Sequence, residues 1–503
     1  MEKPIVFTRK ASGMVRELGM LDVMMFVWAM VFGAGILMTA PATAVSFPGA
    51  SVPLAYLVIG IVMLPFVITI GYMLTALPRT GGLYVTISRV LHPVVGYFSG
   101  WMFFIAMGLI AGLVCFTGVS VAEAGFSRIG LSVSRPVILG FAFAVLFIFW
   151  GISQLGIRVI RNITRVIVVI PLAVLLGVAI YMLVLGPEGG IATYDAIYGA
   201  GAMESIKAAA GSAGWGFPAF SMTATVAAFM GAIFAYGGTE GNAALGGEMR
   251  ANFRTIFWGL TGGFIVIILL YIMTTNAAFS GFGEGVAAYT FLANTNPEAL
   301  SAIVPVVTPS TPYFMLSVIK SNGLAFAIAI AIMLWPLNGA LMLFSVASRF
   351  MFSFSFDRDV PEVFSRVNRR GAPTWAAHLA LIVGIFGVLV ISRGVVPFLV
   401  ILDMCLFQLY WLFGLAVMAL PFVRPDIAER VPCGTKTIVG LGFYTFLMGW
   451  FFTATAGQEL NMMGSFALLG VLVIGFALYI YQQNINRRQG IDISEIYRQI
   501  PPE

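Results

Sequence analysis

Two glycine-interrupted hydrophobic stretches constrain this chain more than any other feature. The first reads Val31-Phe32-Gly33-Ala34-Gly35-Ile36, and the second Phe234-Ala235-Tyr236-Gly237-Gly238-Thr239-Glu240. Glycine weakens a helix interior and lets the backbone leave helical geometry. Inside a bilayer, the N–H and C=O groups freed by such a break survive only where protein or a water-filled cavity satisfies them. Paired breaks at corresponding places in two halves of a chain are the pattern by which membrane carriers expose backbone to a small solute.

The bilayer itself follows from composition. Of 503 residues, 60% are hydrophobic and only 10% charged, against about 25% charged in a soluble domain. Apolar runs bounded by charge, proline or glycine give helices near 20–43, 49–76, 94–122, 136–154, 162–185, 222–247, 256–279, 322–353, 374–392, 395–421, 436–456 and 462–483. Each is long enough for a span of about 20 residues. The fold class is therefore an all-α polytopic membrane protein of about twelve transmembrane helices, with helices 1 and 6 broken. No cleavable leader is expected, because the first 19 residues are polar and basic and a full-length span follows.

Lys and Arg set the orientation. With the N-terminus inside, 22 of the 27 basic residues fall in cytosolic segments, among them Lys3, Arg9, Lys10, Arg79, Arg89, Arg349 and Arg370. Only Arg128, Arg135, Lys207, Lys320 and Arg393 remain outside, so both termini are expected to be cytosolic. The net charge of +6 thus follows the membrane and is no nucleic-acid footprint. The organisation expected is a cytosolic segment over 1–19, helices 1–5 over 20–185 and an outer loop over 186–221. Helices 6–10 follow over 222–421, with a second outer loop at 280–321, then helices 11–12 over 422–483 and a cytosolic tail over 484–503. Loops as long as the two outer ones are usually lids or disordered, and short helices over the outer mouth are one form they could take.

Helix 1 runs from inside to outside, so its half after Gly35 starts near the midplane with free N–H groups and the positive end of its dipole, an anion site suited to a carboxylate. Helix 6 runs the other way, and its outer half ends near Tyr236-Gly237 with unpaired carbonyls suited to an ammonium. One such site facing the other describes the backbone of an α-amino acid. An intramembrane carboxylate costs roughly 2.5–3.5 kcal/mol on insertion scales and is a functional candidate by default. Glu240 could bind a substrate amine, carry a coupling proton or cap the broken helix. Asp403 is the other deep carboxylate, readable as a gate, a proton site or a satisfied bundle contact. Trp335 and Asn338 flank Pro336 at mid-membrane, where pore lining and an ordinary proline kink are both open. Glu248 and Asp22 lie near helix ends and read as interfacial.

Enzyme signatures are missing: there is no H-E-x-x-H, G-x-S-x-G, Walker loop or Cys/His cluster. No metal site, cofactor or nucleic-acid partner is expected, and the chain is not read as an enzyme. Cys115, Cys405 and Cys433 lack metal-ligand spacing and read as free structural cysteines.

Three further segments carry a family resemblance. Leu77-Pro78-Arg79-Thr80-Gly81-Gly82-Leu83-Tyr84 with Arg89 and His92-Pro93 resembles the region after helix 2 in amino acid–polyamine–organocation permeases. Phe234 to Glu240 resembles their FAYxGxE pattern, and Ser348-Arg349 through Asp357-Arg358-Asp359-Val360-Pro361 to Asn368-Arg369-Arg370-Gly371-Ala372-Pro373 their R…DxxxP…NxRGxP signature. The resemblance covers about residues 10–425. It implies a LeuT-like fold of two inverted five-helix repeats, helices 1–5 and 6–10, and alternating access at a site between the breaks. By motif position, Gly33, Ala34, Gly35 and Ile36 would offer N–H groups to a carboxylate. Phe234 and Ala235 would offer carbonyls to an amine beside Tyr236, Gly237 and Gly238, with Phe234 or Tyr236 as aromatic gate. The basic connections 77–93 and 349–373 would be inner scaffold.

Two departures stand out. Pro171 takes the place of a helix 5 lysine that many members carry in lieu of sodium, and Ser345 and Ser348, three apart, make no adjacent hydroxyl pair for sodium. Coupling is then left to protons through Glu240, exchange or facilitation. The function expected is a multi-pass cell-membrane permease for a small neutral or weakly polar amino acid. Transport of a cationic amino acid or amine is the first alternative, and a non-transporting receptor with the same fold is the alternative of another class.

Overall fold

The computed structural model describes residues 7–8, 11–393 and 397–502. Lys3, Arg9 and Lys10 of the basic N-terminal segment, and the start of the stretch expected to open helix 10, lie outside the described residues. The described chain is helical, with only two isolated β-bridges, Leu18 to Met249 and Thr80 to Leu245.

The first apolar stretch forms two helices, α1 (Met20–Val31) and α2 (Ala34–Ser46), with Phe32 and Gly33 in extended backbone between them. α3 (Val52–Ala76) returns across the bundle, and the short α4 (Leu83–Val90) leads into α5 (Pro93–Ser120), one of the most enclosed helices of the molecule. A short α6 (Glu123–Arg128) precedes α7 (Arg135–Ser153) and the 42-residue α8 (Ile157–Tyr198). α9 (Ala202–Ser212) lies in the connection that follows. The second glycine-interrupted stretch gives α10 (Met222–Ala227), α11 (Phe229–Tyr236) and a single turn, α12 (Thr239–Asn242). Then come α13 (Phe253–Phe282), the short α14 (Gly285–Thr295), α15 (Pro297–Ser301) and α16 (Thr311–Leu316), and the long α17 (Asn322–Phe356). The chain closes with α18 (Thr374–Ile391), α19 (Pro397–Val423), α20 (Pro425–Ala428), α21 (Thr435–Gln458), α22 (Met462–Arg488) and α23 (Ile493–Arg498).

Among the described residues, eleven helical stretches are long and apolar enough to cross a membrane, or twelve if α1 and α2, bent by 40°, count as one. The protein is a polytopic membrane protein. The most conspicuous boundary difference from the sequence reading is α8, expected over 162–185. It starts five residues earlier and continues to Tyr198 past Gly186, where φ is +63 and the axis kinks. Glycine and proline at 186 and 187 read as a stop, but a glycine in the left-handed region can also bend a helix whose next turn restarts on proline.

Apolar side chains face outward as well as inward, as a lipid-facing bundle requires. α22 and α7 leave Ile148, Phe466, Val473, Ile474 and Phe476 half or more exposed, while α5 and α17 are buried along most of their length. The buried charges concentrate at the arginine-rich end of the bundle. Arg89 and Asp357 pair through two contacts of 2.5 and 2.7 Å with both side chains buried. Tyr84 donates its single hydroxyl hydrogen between Asp357 (2.7 Å) and Asp359 (2.8 Å), and Tyr497 of α23 reaches Asp359 at 2.6 Å. Burial, and then the neighbouring Asp357 charge, push the Asp359 carboxyl up to about 8. The guanidinium of Arg79 donates to the Pro501 carbonyl at 2.7 Å, so residues 497–501 are stitched into this end. Glu248 and Asp22, read as interfacial from helix-end position, are both buried and paired. Glu248 is 1% exposed and pairs with the fully buried Arg349 at 2.9 Å, and Asp22 is 4% exposed and pairs with Arg165 at 2.6 Å. A partner more than 100 residues away makes a carboxylate tolerable in the interior, and no local pattern announces it.

Candidate functional site

At the first break, Phe32 donates back to Trp28 O at 3.0 Å and the α-helix stops. The chain passes through extended Gly33 and restarts at Ala34, and Leu37 donates to Gly33 O at 3.3 Å. The amides of Ala34, Gly35 and Ile36 form the first turn, so they have no acceptor within their own helix. At the second break, Gly237 donates to Phe234 O at 3.2 Å, and Gly238 takes φ +122, a conformation other residues rarely adopt. Gly238 then opens the single turn that carries Glu240.

The two breaks touch. A Cβ placed on Gly35 would sit 3.0 Å from Ala235 Cα, and one on Gly238 would sit 3.1 Å from Met30 O. The absence of side chains at these positions is what allows two backbones to approach so closely. Between them lies a cavity of about 50 Å³, whose walls include Gly33, Gly35, Phe234, Ala235, Gly237 and Gly238. Met107, Ile110 and Val114 of α5 form one side, Pro336, Gly339 and Leu343 of α17 another, and Leu406 of α19 a third. No ionisable side chain is among its lining residues.

The remaining candidates stand behind this surface. Tyr236 is buried and donates to Tyr56 O at 2.8 Å, which ties it to α3, whereas Phe234 faces the cavity. Ile36 is fully buried, and Ala34 contributes its place at the start of α2. Glu240 is fully buried, and its Oε1 accepts from the Gly238 amide at 3.0 Å and from the Tyr410 hydroxyl at 2.9 Å. Its Oε2 has no hydrogen-bond partner among the described residues. Trp335 donates its ring N–H to Trp28 O at 2.9 Å and packs on Phe32 at 4.5 Å, so it braces the end of α1. Asn338 accepts from Thr164 at 3.2 Å and leaves its amide nitrogen without a partner among the described residues. Asp403 is half-buried on α19, one turn before Leu406, with Oδ1 likewise unpartnered among the described residues. Pro171 is buried in α8, and Ser345 and Ser348 donate to carbonyls of their own helix at 2.8 and 2.6 Å.

Contributors not legible as site residues include the α5 wall of Met107, Ile110 and Val114, with Gly339, Leu343 and Leu406, and also Tyr410 at Glu240 and Tyr271, whose hydroxyl reaches Ala235 O. A tyrosine in the middle of an apolar span must find a partner for its hydroxyl. That rule flags both tyrosines as structural or functional anchors, although it cannot name what they reach.

Backbone from both glycine-containing stretches thus lines a small cavity within a bilayer-spanning helical bundle. Residues 18–477, nearly the whole chain, match the family described as Amino acid permease. The chain belongs to that family. A serine/threonine exchanger of Bacillus subtilis is 27% identical over 268 residues, covering 52% of this chain and 54% of that protein. A histidine permease of Lactococcus lactis is 23% identical over 439 residues, covering 82% of this chain and 81% of that one. The matched region thus spans about half the length of the first relative and four-fifths of the second. Amino acid permeases are multi-pass membrane carriers and not enzymes, in keeping with the eleven or twelve spans.

Proposed function

We propose that this amino acid permease carries a small neutral amino acid across the cell membrane by alternating access. Both termini would be cytosolic, and helices 1–5 and 6–10 would act as two inverted repeats that rock about the breaks. The observation that carries the reading is the cavity: Gly33 and Gly35 line it on one side, Phe234 and Ala235 at the end of α11 on another, and its side walls are apolar. The carboxylate of the substrate would take the amides of Ala34, Gly35 and Ile36, and its ammonium the carbonyls of Phe234 and Ala235. The side chain would rest against Met107, Ile110, Val114, Leu343 and Leu406. A cationic side chain finds no carboxylate among the lining residues. That favours a neutral substrate over the cationic alternative.

Glu240 is the residue proposed to carry a coupling proton. Its Oε2 has no partner among the described residues, which leaves that oxygen available to take up and release a proton. The experiment is uptake by purified protein in liposomes, with a radiolabelled panel of L-alanine, L-valine, L-leucine, L-methionine, L-serine and L-lysine, with and without an inward proton gradient. Gradient-driven accumulation of a neutral member, lost in Glu240→Gln while counter-exchange persists, is the expected result. Accumulation that ignores the gradient removes the proton from the scheme. No flux of any member, in uptake or exchange, returns the receptor reading to first place.

A further inference from the structure

Tyr271 sits mid-way along α13, fully buried, with its ring against Phe32 (5.4 Å), Tyr56 (5.9 Å) and Tyr236 (4.7 Å). Its hydroxyl oxygen lies 2.6 Å from Val31 O and 2.5 Å from Ala235 O. Val31 ends α1, and Ala235 is the penultimate residue of α11. The final carbonyls of a helix have no donor within it, and among the described residues no second donor reaches either oxygen. Val31 and Ala235 also both line the cavity between the breaks.

A phenol carries one hydrogen. Two carbonyl ends, one from each broken helix, therefore share a single proton at contact distances that each call for one. This cluster is one donor short, and the oxygens that lack it are on the wall of the substrate cavity. A primary ammonium brings three N–H donors.

We propose that the Tyr271 hydroxyl stands in for the substrate's ammonium while the site is empty, tying the two broken helices together, and yields one carbonyl when an α-ammonium arrives. This rests on the reading of the cavity as an α-amino acid site. Tyr271 is thus a positioning residue that acts through the carbonyls of Val31 and Ala235. It has two consequences. The hydroxyl competes with substrate, which weakens apparent affinity. It also supplies the empty carrier with a donor that would otherwise be missing, which lets the unloaded protein close and return.

The test is Tyr271→Phe, which keeps the ring packing and removes only the hydrogen-bonding group. The probe is the panel member that the wild-type protein takes up fastest, compared with the carboxylic acid that lacks its amino group. Apparent affinity for the amino acid is expected to tighten about five- to tenfold, the lower part of what an orphaned buried carbonyl costs. Inhibition by the des-amino acid should stay unchanged. Net uptake into empty liposomes should slow by about tenfold or more relative to exchange into preloaded ones, on the same energetic scale. A merely structural tie would instead lower affinity for both probes and slow both modes alike, and that result overturns the proposal. So does an unchanged ratio of net uptake to exchange. Should Tyr271→Phe fail to fold, ring-fluorinated tyrosine at position 271, a stronger donor of similar shape, must shift affinity for the amino acid in the weaker direction. No shift, or a tighter one, overturns the proposal as well. Failure of the wild-type protein to move any panel member overturns the underlying reading of the cavity, an outcome visible before any variant is made.

Discussion

Replacing Gly35 by valine is the sharpest perturbation of the contact between the two breaks. A Cβ at this position would already lie 3.0 Å from Ala235 Cα, tighter than nearly all real Cβ contacts, and 3.5 Å from Ala235 Cβ. Alanine therefore forces the two backbones apart by a few tenths of an ångström. Valine adds two further methyl groups at the wall of a cavity of only about 50 Å³. Overpacking of a close-packed interior costs about 1–3 kcal/mol, and each 1.4 kcal/mol is tenfold in a binding constant. Gly35→Ala should weaken substrate binding about fivefold, and Gly35→Val about a hundredfold or more. Both variants should keep their spans, because the overlap lies against a neighbouring helix and not within α2. The assay is equilibrium binding of the transported amino acid to detergent-purified protein, with thermal unfolding of the same samples. Gly177→Ala is the control, since nothing lies within 4 Å of a Cβ built there; it should leave binding unchanged. Unchanged affinity in Gly35→Val, with unchanged melting, would refute both the close approach of the breaks and the assignment of the cavity as the binding site.

Other expectations follow from the arginine-rich end. Arg349→Ala strands Glu248 in the interior and should cost about 3–5 kcal/mol of stability, whereas Arg349→Leu with Glu248→Met should recover most of it; unfolding of the purified variants measures both. Asp359 has a carboxyl raised to about 8 from 3.8, so the folded protein holds its proton more tightly than the unfolded chain between those values. Its contribution is full below the unfolded value and is lost as pH rises through about 8. The melting temperature should fall between pH 5 and 8.5, and Asp359→Asn should flatten that slope; an equal slope in the variant would rule the residue out as its source.

What the sequence could convey was local. The spans were legible because unbroken apolar length is a bilayer's direct requirement, and the two interruptions because glycine is the residue that signals permission to unwind. Gly238 takes a φ of +122, and a Cβ on Gly35 would press on Ala235. What was not legible was pairing at a distance. Nothing near Glu248 in the chain announced Arg349, 101 residues on, as its partner, nor Arg165 as that of Asp22. The extension of α8 past Gly186 was hidden because the same Gly-Pro pair can end a helix or kink one. Tyr271 and Tyr410 were visible only as polar tips in apolar helices, since nothing in the chain order says that their hydroxyls end at Ala235 and Glu240.

The contacts of Tyr497 and Pro501 bear on how the molecule is made. Every membrane span found among the described residues precedes them in the chain, so the Arg89, Asp357 and Asp359 cluster can be completed only after those spans have been synthesised. Until then Tyr497 cannot reach the Asp359 carboxyl, and the Pro501 carbonyl cannot accept from Arg79. Closure of this end is thus a late event in biogenesis. A fusion placed immediately after these residues would compete with that step, so a reporter for this protein belongs elsewhere on its surface.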